Sequence, residues 1–122
     1  MKSNITCIII AKNEEKNLPF SLSSCFFADK IYVIDSGSSD SSEEVTLKYN
    51  GIFIFNPWKG YAQQKNWAID NLPISTDWIF ILDADELITE ELRNELIYIA
   101  SSKKNTATGY YVNRYFVWEG TK

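Results

Sequence analysis

Histidine is absent from all 122 residues. That excludes most zinc sites, Ser-His-Asp triads and imidazole acid–base chemistry. Cysteine occurs twice, as Cys7 and Cys25, each in an apolar stretch. A disulfide scaffold is excluded, and the expectation is two buried, reduced thiols of an intracellular protein. Glycine and proline are scarce, at five and three, while aromatic residues make up 15% of the chain, so disorder is excluded as well. No apolar run approaches the ~20 residues that a bilayer span needs. No signal-peptide pattern opens the chain, and the expected location is cytoplasmic. Twelve basic against sixteen acidic residues leave a net charge of -4, the wrong balance for a nonspecific nucleic-acid binder, so no nucleic-acid partner is expected.

What is present alternates between strand and helix. Ile5-Thr6-Cys7-Ile8-Ile9-Ile10 is a short apolar run rich in β-branched residues, as in a strand covered on both faces. Leu18, Leu22, Cys25 and Phe26 then recur at helical spacing, with Asn17 as the expected cap and Pro19 tolerated in the first turn. Ile31-Tyr32-Val33-Ile34 forms a second buried strand, and a Ser/Gly turn leads into a helix ending near Tyr49. Residues 51–55 read as the third strand and 61–72 as the third helix. The fourth strand, Trp78-Ile79-Phe80-Ile81-Leu82, is the most apolar. Thr89 caps a fourth helix with Leu92, Leu96 and Ile99 as its buried stripe, and residues 110–118 read as one final strand. The expected fold class is α/β: a Rossmann-like, mainly parallel sheet with helices on both faces, forming one domain.

Ligands of such sheets bind beyond the carboxyl ends of the strands. Residues 11–13, 35–40, 56–60 and 83–86 all fall on that edge. Within them, Asp83-Ala84-Asp85 follows the most apolar strand, where two carboxylates can share a hard divalent cation, Mg²⁺ or Mn²⁺. Two side chains do not fill an octahedral shell, so water or a diphosphate must supply further oxygens. Asp35 ends the second strand, where a carboxylate can accept hydrogen bonds from a ribose or base, or can close an Asx-turn, a role that suits Asp40 better. Lys65 shares a stripe with Tyr61, Ala68 and Leu72, and either snorkels or meets a phosphate at the sheet edge. Trp58, Tyr61, Trp67 and Trp118 can stack on rings, although packing is the default reading of aromatics.

Four segments together resemble the nucleotide-sugar glycosyltransferases of family 2, which have the GT-A fold. They are Ile8-Ile9-Ile10-Ala11-Lys12-Asn13-Glu14-Glu15, Val33-Ile34-Asp35-Ser36-Gly37-Ser38-Ser39-Asp40, Gly60-Tyr61-Ala62-Gln63-Gln64-Lys65-Asn66-Trp67-Ala68 and Leu82-Asp83-Ala84-Asp85-Glu86. The Lys-Asn-Glu-Glu and Asp-Ser-Gly-Ser variants are similar to the lipopolysaccharide-core β-1,4-glucosyltransferase subgroup. The resemblance implies that Ala11 and Asn13 lie near the nucleoside, with Glu14 and Ala84 in the same donor site. It also implies that Asp35 holds the base or ribose and Lys65 faces the donor. Asp83 would contact ribose or metal and Asp85 would ligate the metal, Mn²⁺ or Mg²⁺. Most of the family has a second Asp where this chain has Ser36.

The implied reaction is inverting transfer of a hexose from a UDP-sugar, glucose first, to a saccharide or glycolipid acceptor of the cell envelope. Members of that family carry their acceptor-binding segment and general base further along. The expectation is therefore that residues 1–122 form the donor-binding part alone, with the apolar residues near Phe116 and Trp118 partly uncovered. Self-association and peripheral membrane association are the corresponding expectations. Three other enzyme or signalling classes fit less well. Aspartate phosphatases place Asp-x-Asp after their first strand and follow it with Thr. Receiver domains need an acidic pair after strand one, and sugar nucleotidyltransferases need a Gly-rich basic loop there. The non-enzyme alternative is a nucleotide-sugar-binding module without turnover of its own.

Overall fold

The computed structural model describes residues 3–101 with their side chains, and the backbone of 109–112 and 115–119. Strands β1 (Ile5–Ala11), β2 (Lys30–Asp35), β3 (Ile52–Phe55) and β4 (Trp78–Asp83) alternate with helices α1 (Leu18–Ser24), α2 (Ser42–Lys48), α3 (Tyr61–Asn71) and α4 (Glu90–Ser101). Strands β5 (Gly109–Val112) and β6 (Tyr115–Glu119) follow. The six strands form one sheet in the order β3-β2-β1-β4-β6-β5. The first four are mutually parallel, and β6 joins β4 antiparallel. The expected α/β class and parallel sheet are therefore observed.

Every residue of β1 is buried, which is why its sequence does not alternate. On one face Ile5, Cys7, Ile9, Val33, Phe80 and Leu82 pack under α1 and α4 through Leu18, Leu22, Leu92 and Leu96. On the other, Ile8, Ile10, Ile34, Ile79 and Ile81 meet Ala68 of α3. Thr6 is the polar member of β1, and its hydroxyl is satisfied by that of Thr76 at 2.5 Å. Cys7 and Cys25 are free and buried, as expected, with the Cys7 thiol pushed up by its hydrogen bond with Cys25 and then by burial. Among the described residues no helix is long and apolar enough to cross a membrane.

Three details depart from the sequence reading. Helix α1 ends at Ser24, so Phe26 falls outside its buried stripe and lies exposed, with the Arg93 guanidinium 5.1 Å from its ring centroid. Asn17 caps α1 by position only: its side-chain amide donates to Glu14 Oε1 instead of accepting from the helix. The single strand expected at 110–118 is a hairpin, with Val112 opposite Tyr115 in its register. Two residues between paired strands is the commonest hairpin length, and Asn113-Arg114 carries no glycine or proline to mark the reversal. The expected exposure of Phe116 and Trp118 lies outside the described side chains. Thr89 does cap α4, its hydroxyl oxygen accepting the Leu92 N–H at 3.1 Å.

Helix α2 is joined to β3 by Asn50, in the left-handed region at φ 66°, and Gly51. A Cβ on Gly51 would meet Thr46 Cγ2 at 2.8 Å and Leu22 Cδ2 at 3.0 Å. Gly51→Ala should cost about 1–3 kcal/mol through overpacking against α1 and α2. A urea denaturation midpoint unchanged from wild type would show that the contact is not tight.

Candidate functional site

The sheet order defines where a ligand can sit. From β1 the chain moves outward through β2 and β3, then returns so that β4 lies on the other side of β1. The β1–β4 boundary is the topological switch point, and in open α/β sheets the crevice opens beyond the strand ends there. The register puts Ala11 beside Asp35, Asp35 beside Phe55, and Ile10 beside Asp83, so the four carboxyl ends share one edge. A cleft of about 470 Å³ lies at this edge, lined by the end of β1, by Ser36, by Trp58 and Tyr61, and by Asp83, Ala84 and Asp85.

Of the residues singled out in the sequence, Ala11, Glu14, Asp83, Ala84 and Asp85 line the cleft. Asn13, Asp35 and Lys65 do not. The Asp35 side chain is almost fully buried and turned into its own loop. Gly37 N–H and Ser38 N–H donate to its Oδ2 at 2.9 and 2.7 Å, and the Ser38 hydroxyl donates to Oδ1. Ser38 Oγ in turn accepts the Asn13 N–H at 2.7 Å. Asn13 holds φ 54°, a conformation asparagine tolerates well, and its Oδ1 accepts the Ser39 N–H at 2.8 Å. Asp35 and Asn13 thus bind the loops after β1 and β2 to each other.

A second clasp works alongside. Asp40 accepts the Ser42 N–H at 3.0 Å and the Ser42 hydroxyl at 2.6 Å on Oδ1, and the Glu15 N–H at 3.2 Å on Oδ2. Ser42 Oγ accepts the Glu14 N–H at 3.1 Å, and Glu15 Oε1 accepts the Ser41 N–H at 2.9 Å. Both Asp35 and Asp40 therefore close turns, where the sequence favoured Asp40 for that task. Partial desolvation pushes the Asp40 carboxyl up, but the hydrogen bonds from Ser42 and Glu15 outweigh it and hold its pKa below the ordinary 3.8. Its contribution to stability is present above pH 3.8 and is lost as pH falls through the lowered folded value. Asp40→Asn should therefore lower the urea midpoint at neutral pH and converge on wild type near the acid limit. A gap that stays constant with pH would assign the loss to something other than this carboxylate.

The other wall is set by the β4 turn. Asp83 N–H donates to Glu86 Oε1 and Glu86 N–H to the Asp83 carbonyl, both at 3.0 Å, while Ala84 N–H is held by the Ile10 carbonyl at 3.1 Å. These bonds fix the backbone between the two carboxylates. Asp83 is half-buried and Asp85 exposed at the rim. Two hard oxygen ligands on one cleft wall suit part of a Mg²⁺ or Mn²⁺ shell. No group of three or more His, Cys, Asp or Glu able to hold a metal occurs among the described residues. The donor set fits a cation whose shell a ligand's oxygens complete.

Lys12, Ser36, Trp58 and Tyr61 line the cleft without having been assigned a donor role from the sequence. Lys12 is the one cation lining it among the described residues, opposite in charge to a diphosphate. Its signal was its place in the loop after the first strand. Trp58 and Tyr61 are among the aromatics for which packing was the default; both are partly exposed. The loop that carries Trp58 is clamped by the buried Gln64, whose Oε1 accepts from Asn56 Nδ2 at 2.7 Å and whose Nε2 donates to the Asn56 carbonyl at 3.1 Å.

Comparison with known proteins agrees with this geometry. Residues 6–119 match the model of the family described as Glycosyl transferase family 2. An uncharacterized glycosyltransferase of Rickettsia conorii is 33% identical over 103 residues, covering 84% of this chain and 36% of its own length. The lipopolysaccharide core biosynthesis glycosyltransferase LpsC of Rhizobium meliloti is 34% identical over 100 residues, covering 78% of this chain and 36% of that protein. The chain thus spans little more than a third of the length of these curated relatives. Among solved structures, glucosyl-3-phosphoglycerate synthase of Mycobacterium tuberculosis in complex with UDP superposes with a TM-score of 0.65 at 18% identity, over 83% of this chain and 41% of that one. The same synthase has also been crystallised with Mn²⁺, UDP and glucosyl-3-phosphoglycerate (TM-score 0.58, 20% identity, 67% of this chain and 33% of that one). The chain belongs to glycosyl transferase family 2.

Proposed function

We propose that this family 2 chain is the donor-binding part of an inverting glycosyltransferase that takes a hexose from UDP, glucose first, to a saccharide or glycolipid acceptor in cell-envelope glycan synthesis. The observation that carries this reading is the cleft at the switch point, where the Asp83-Ala84-Asp85 wall faces the loop that presents Ala11, Lys12 and Glu14. LpsC, a lipopolysaccharide-core enzyme by name, supports the envelope setting and the proposed subgroup. The proposed location is the cytoplasm, with the chain peripheral to any membrane it meets.

The chain's own residues position the donor. The loop after β1 and Ser36 accept the nucleoside, Trp58 and Tyr61 wall the cleft, and Lys12 supplies positive charge to the diphosphate. Asp83 and Asp85 would hold Mn²⁺ or Mg²⁺, which supplies charge compensation for the leaving diphosphate. An acceptor hydroxyl then attacks the anomeric carbon from the face opposite the nucleotide. The bond from that carbon to the diphosphate oxygen breaks, and the configuration inverts. Deprotonation of the acceptor needs a general base, which this reading assigns to an acceptor-binding part outside the cleft.

Calorimetry with UDP, GDP and CDP, each with Mn²⁺, tests the donor class, and UDP should bind best. A turnover assay with UDP-glucose separates an enzyme from a binding module without activity of its own. Absence of binding by every nucleoside diphosphate would remove the proposal.

A further inference from the structure

Between β3 and α3 the chain turns through Asn56-Pro57-Trp58-Lys59-Gly60, and this loop serves two cavities. Trp58 lines the cleft at the sheet edge, whereas Asn56, Pro57 and Lys59 line a separate hollow of about 270 Å³. Gln63, Gln64 and Trp67 of α3 form its other wall. No residue lines both cavities. Four positions apart on one helix, Gln63 and Trp67 lie one above the other on the same face. Trp67 also packs against the core cluster under α3, which holds its ring as a fixed platform. Gln64 is fully buried, and its two bonds to Asn56 tie the loop to the helix. The frame of the hollow is therefore rigid.

Its lining keeps polar atoms that the fold does not use. Among the described residues, the Gln63 side-chain amide, the Lys59 ammonium, the Trp67 indole N–H and Asn56 Oδ1 make no hydrogen bond or ion pair. We infer that this hollow is a saccharide-binding subsite, distinct from the cleft, which takes one pyranose ring against Trp67 and favours a ring that carries a carboxylate. A volume of about 270 Å³ is at the small end of ligand pockets, so one ring fits and a nucleotide does not. Amide side chains both donate and accept, as sugar hydroxyls do, and Asn56 and Gln63 supply one on each wall. The indole of Trp67 offers an apolar face to the C–H face of a pyranose and an N–H donor at its edge. Lys59 adds one positive charge, which suits a uronate carboxylate. A lone lysine without arginine is a thin set for a phosphate. Because the loop separates the hollow from the cleft, both can be filled at once.

Binding here needs neither nucleotide nor metal, so its failure and the failure of the donor reading are separate outcomes. Methyl β-D-glucuronide, methyl β-D-glucoside and inorganic phosphate are titrated in turn into the ¹⁵N-labelled chain, and the Trp67 indole and the Asn56 and Gln63 side-chain amide signals are followed. Both sugars should shift these signals saturably, the glucuronide binding up to about fivefold more tightly, as an exposed charge pair allows. Lys59→Met should remove that preference and leave the glucoside affinity unchanged. Gln63→Ala, at an exposed helix position, should keep the melting temperature and weaken both sugars about threefold or more. Trp67→Ala should weaken them about tenfold, and Gln63→Ala keeps the test open if that variant folds poorly. Saturating UDP with Mn²⁺ should leave the sugar shifts in place. Shifts that never saturate, or affinities unchanged in both Gln63→Ala and Trp67→Ala, would overturn the inference. Phosphate matching the glucuronide while the glucoside gives no shift would overturn it in favour of an anion site. Loss of the sugar shifts on adding UDP would make the hollow an extension of the cleft, and would overturn it too.

Discussion

Asp85→Asn should abolish the strengthening of UDP binding by Mn²⁺ while leaving metal-free UDP binding nearly intact. Asp83 and Asp85 flank one small residue on a backbone held by Ile10 and Glu86, so their charges are confined to one wall of the cleft. Two carboxylates offer only part of a shell, and diphosphate oxygens complete it, so each ligand raises the affinity for the other by the same factor. Coupling energies between two such sites are typically about 1–3 kcal/mol, which predicts a wild-type enhancement of at least about fivefold. The asparagine keeps size and one oxygen but loses the charge, and the enhancement should fall to none. An enhancement that survives in Asp85→Asn would reduce Asp83-Ala84-Asp85 to an acidic turn leading into α4.

The second large effect is expected at Asp35. Its carboxylate is buried and receives three hydrogen bonds from Gly37 and Ser38. Asp35→Asn turns one acceptor oxygen into a donor facing those groups. Hydrogen bonds to a charged group contribute about 1.5–3 kcal/mol each, so a loss of about 3 kcal/mol of stability is expected. For a domain of this size that lowers Tm by upwards of about 10 °C. Because Ser38 also accepts the Asn13 N–H, the loop that presents Lys12 and Glu14 loosens with it. UDP affinity should then fall by the same factor with and without Mn²⁺. A variant that loses UDP binding but keeps its wild-type Tm would instead make Asp35 a direct ligand contact.

Much of this architecture was legible because the signals were local. Continuous apolar runs ending in Ala11, Asp35 and Asp83 mark strands buried on both faces, and their carboxyl ends had to share an edge once the strands were parallel. The strand order was not legible, since no residue pattern says that β4 returns beside β1. That order is what places Asp83 next to Ile10 and not beside β3. The hairpin of β5 and β6 was hidden because Asn113-Arg114, between its strands, carries no glycine or proline to mark the reversal. Side-chain direction was the other blind spot. Asp35, Asn13 and Asp40 have neighbouring loops as their nearest partners, and a carboxylate surrounded by Ser and Gly N–H groups closes on its own turn before it meets a ligand. Lys65 lay on the expected helix stripe but found the Tyr61 ring, and Tyr61 reached the cleft because Gly60 lets α3 start at its rim.

The central claim is that a nucleoside diphosphate and a divalent cation bind together in the cleft between the ends of β1 and β4. Paramagnetic broadening of backbone amide signals by Mn²⁺ in the presence of UDP tests it most directly. Signals of Ala11, Lys12, Ser36, Ala84 and Asp85 should vanish first, with those of the opposite sheet edge, near Lys30 and Asp77, unaffected, and the broadening should weaken when UDP is withheld. Broadening centred away from the Asp83-Ala84-Asp85 wall, or broadening indifferent to UDP, would contradict the account.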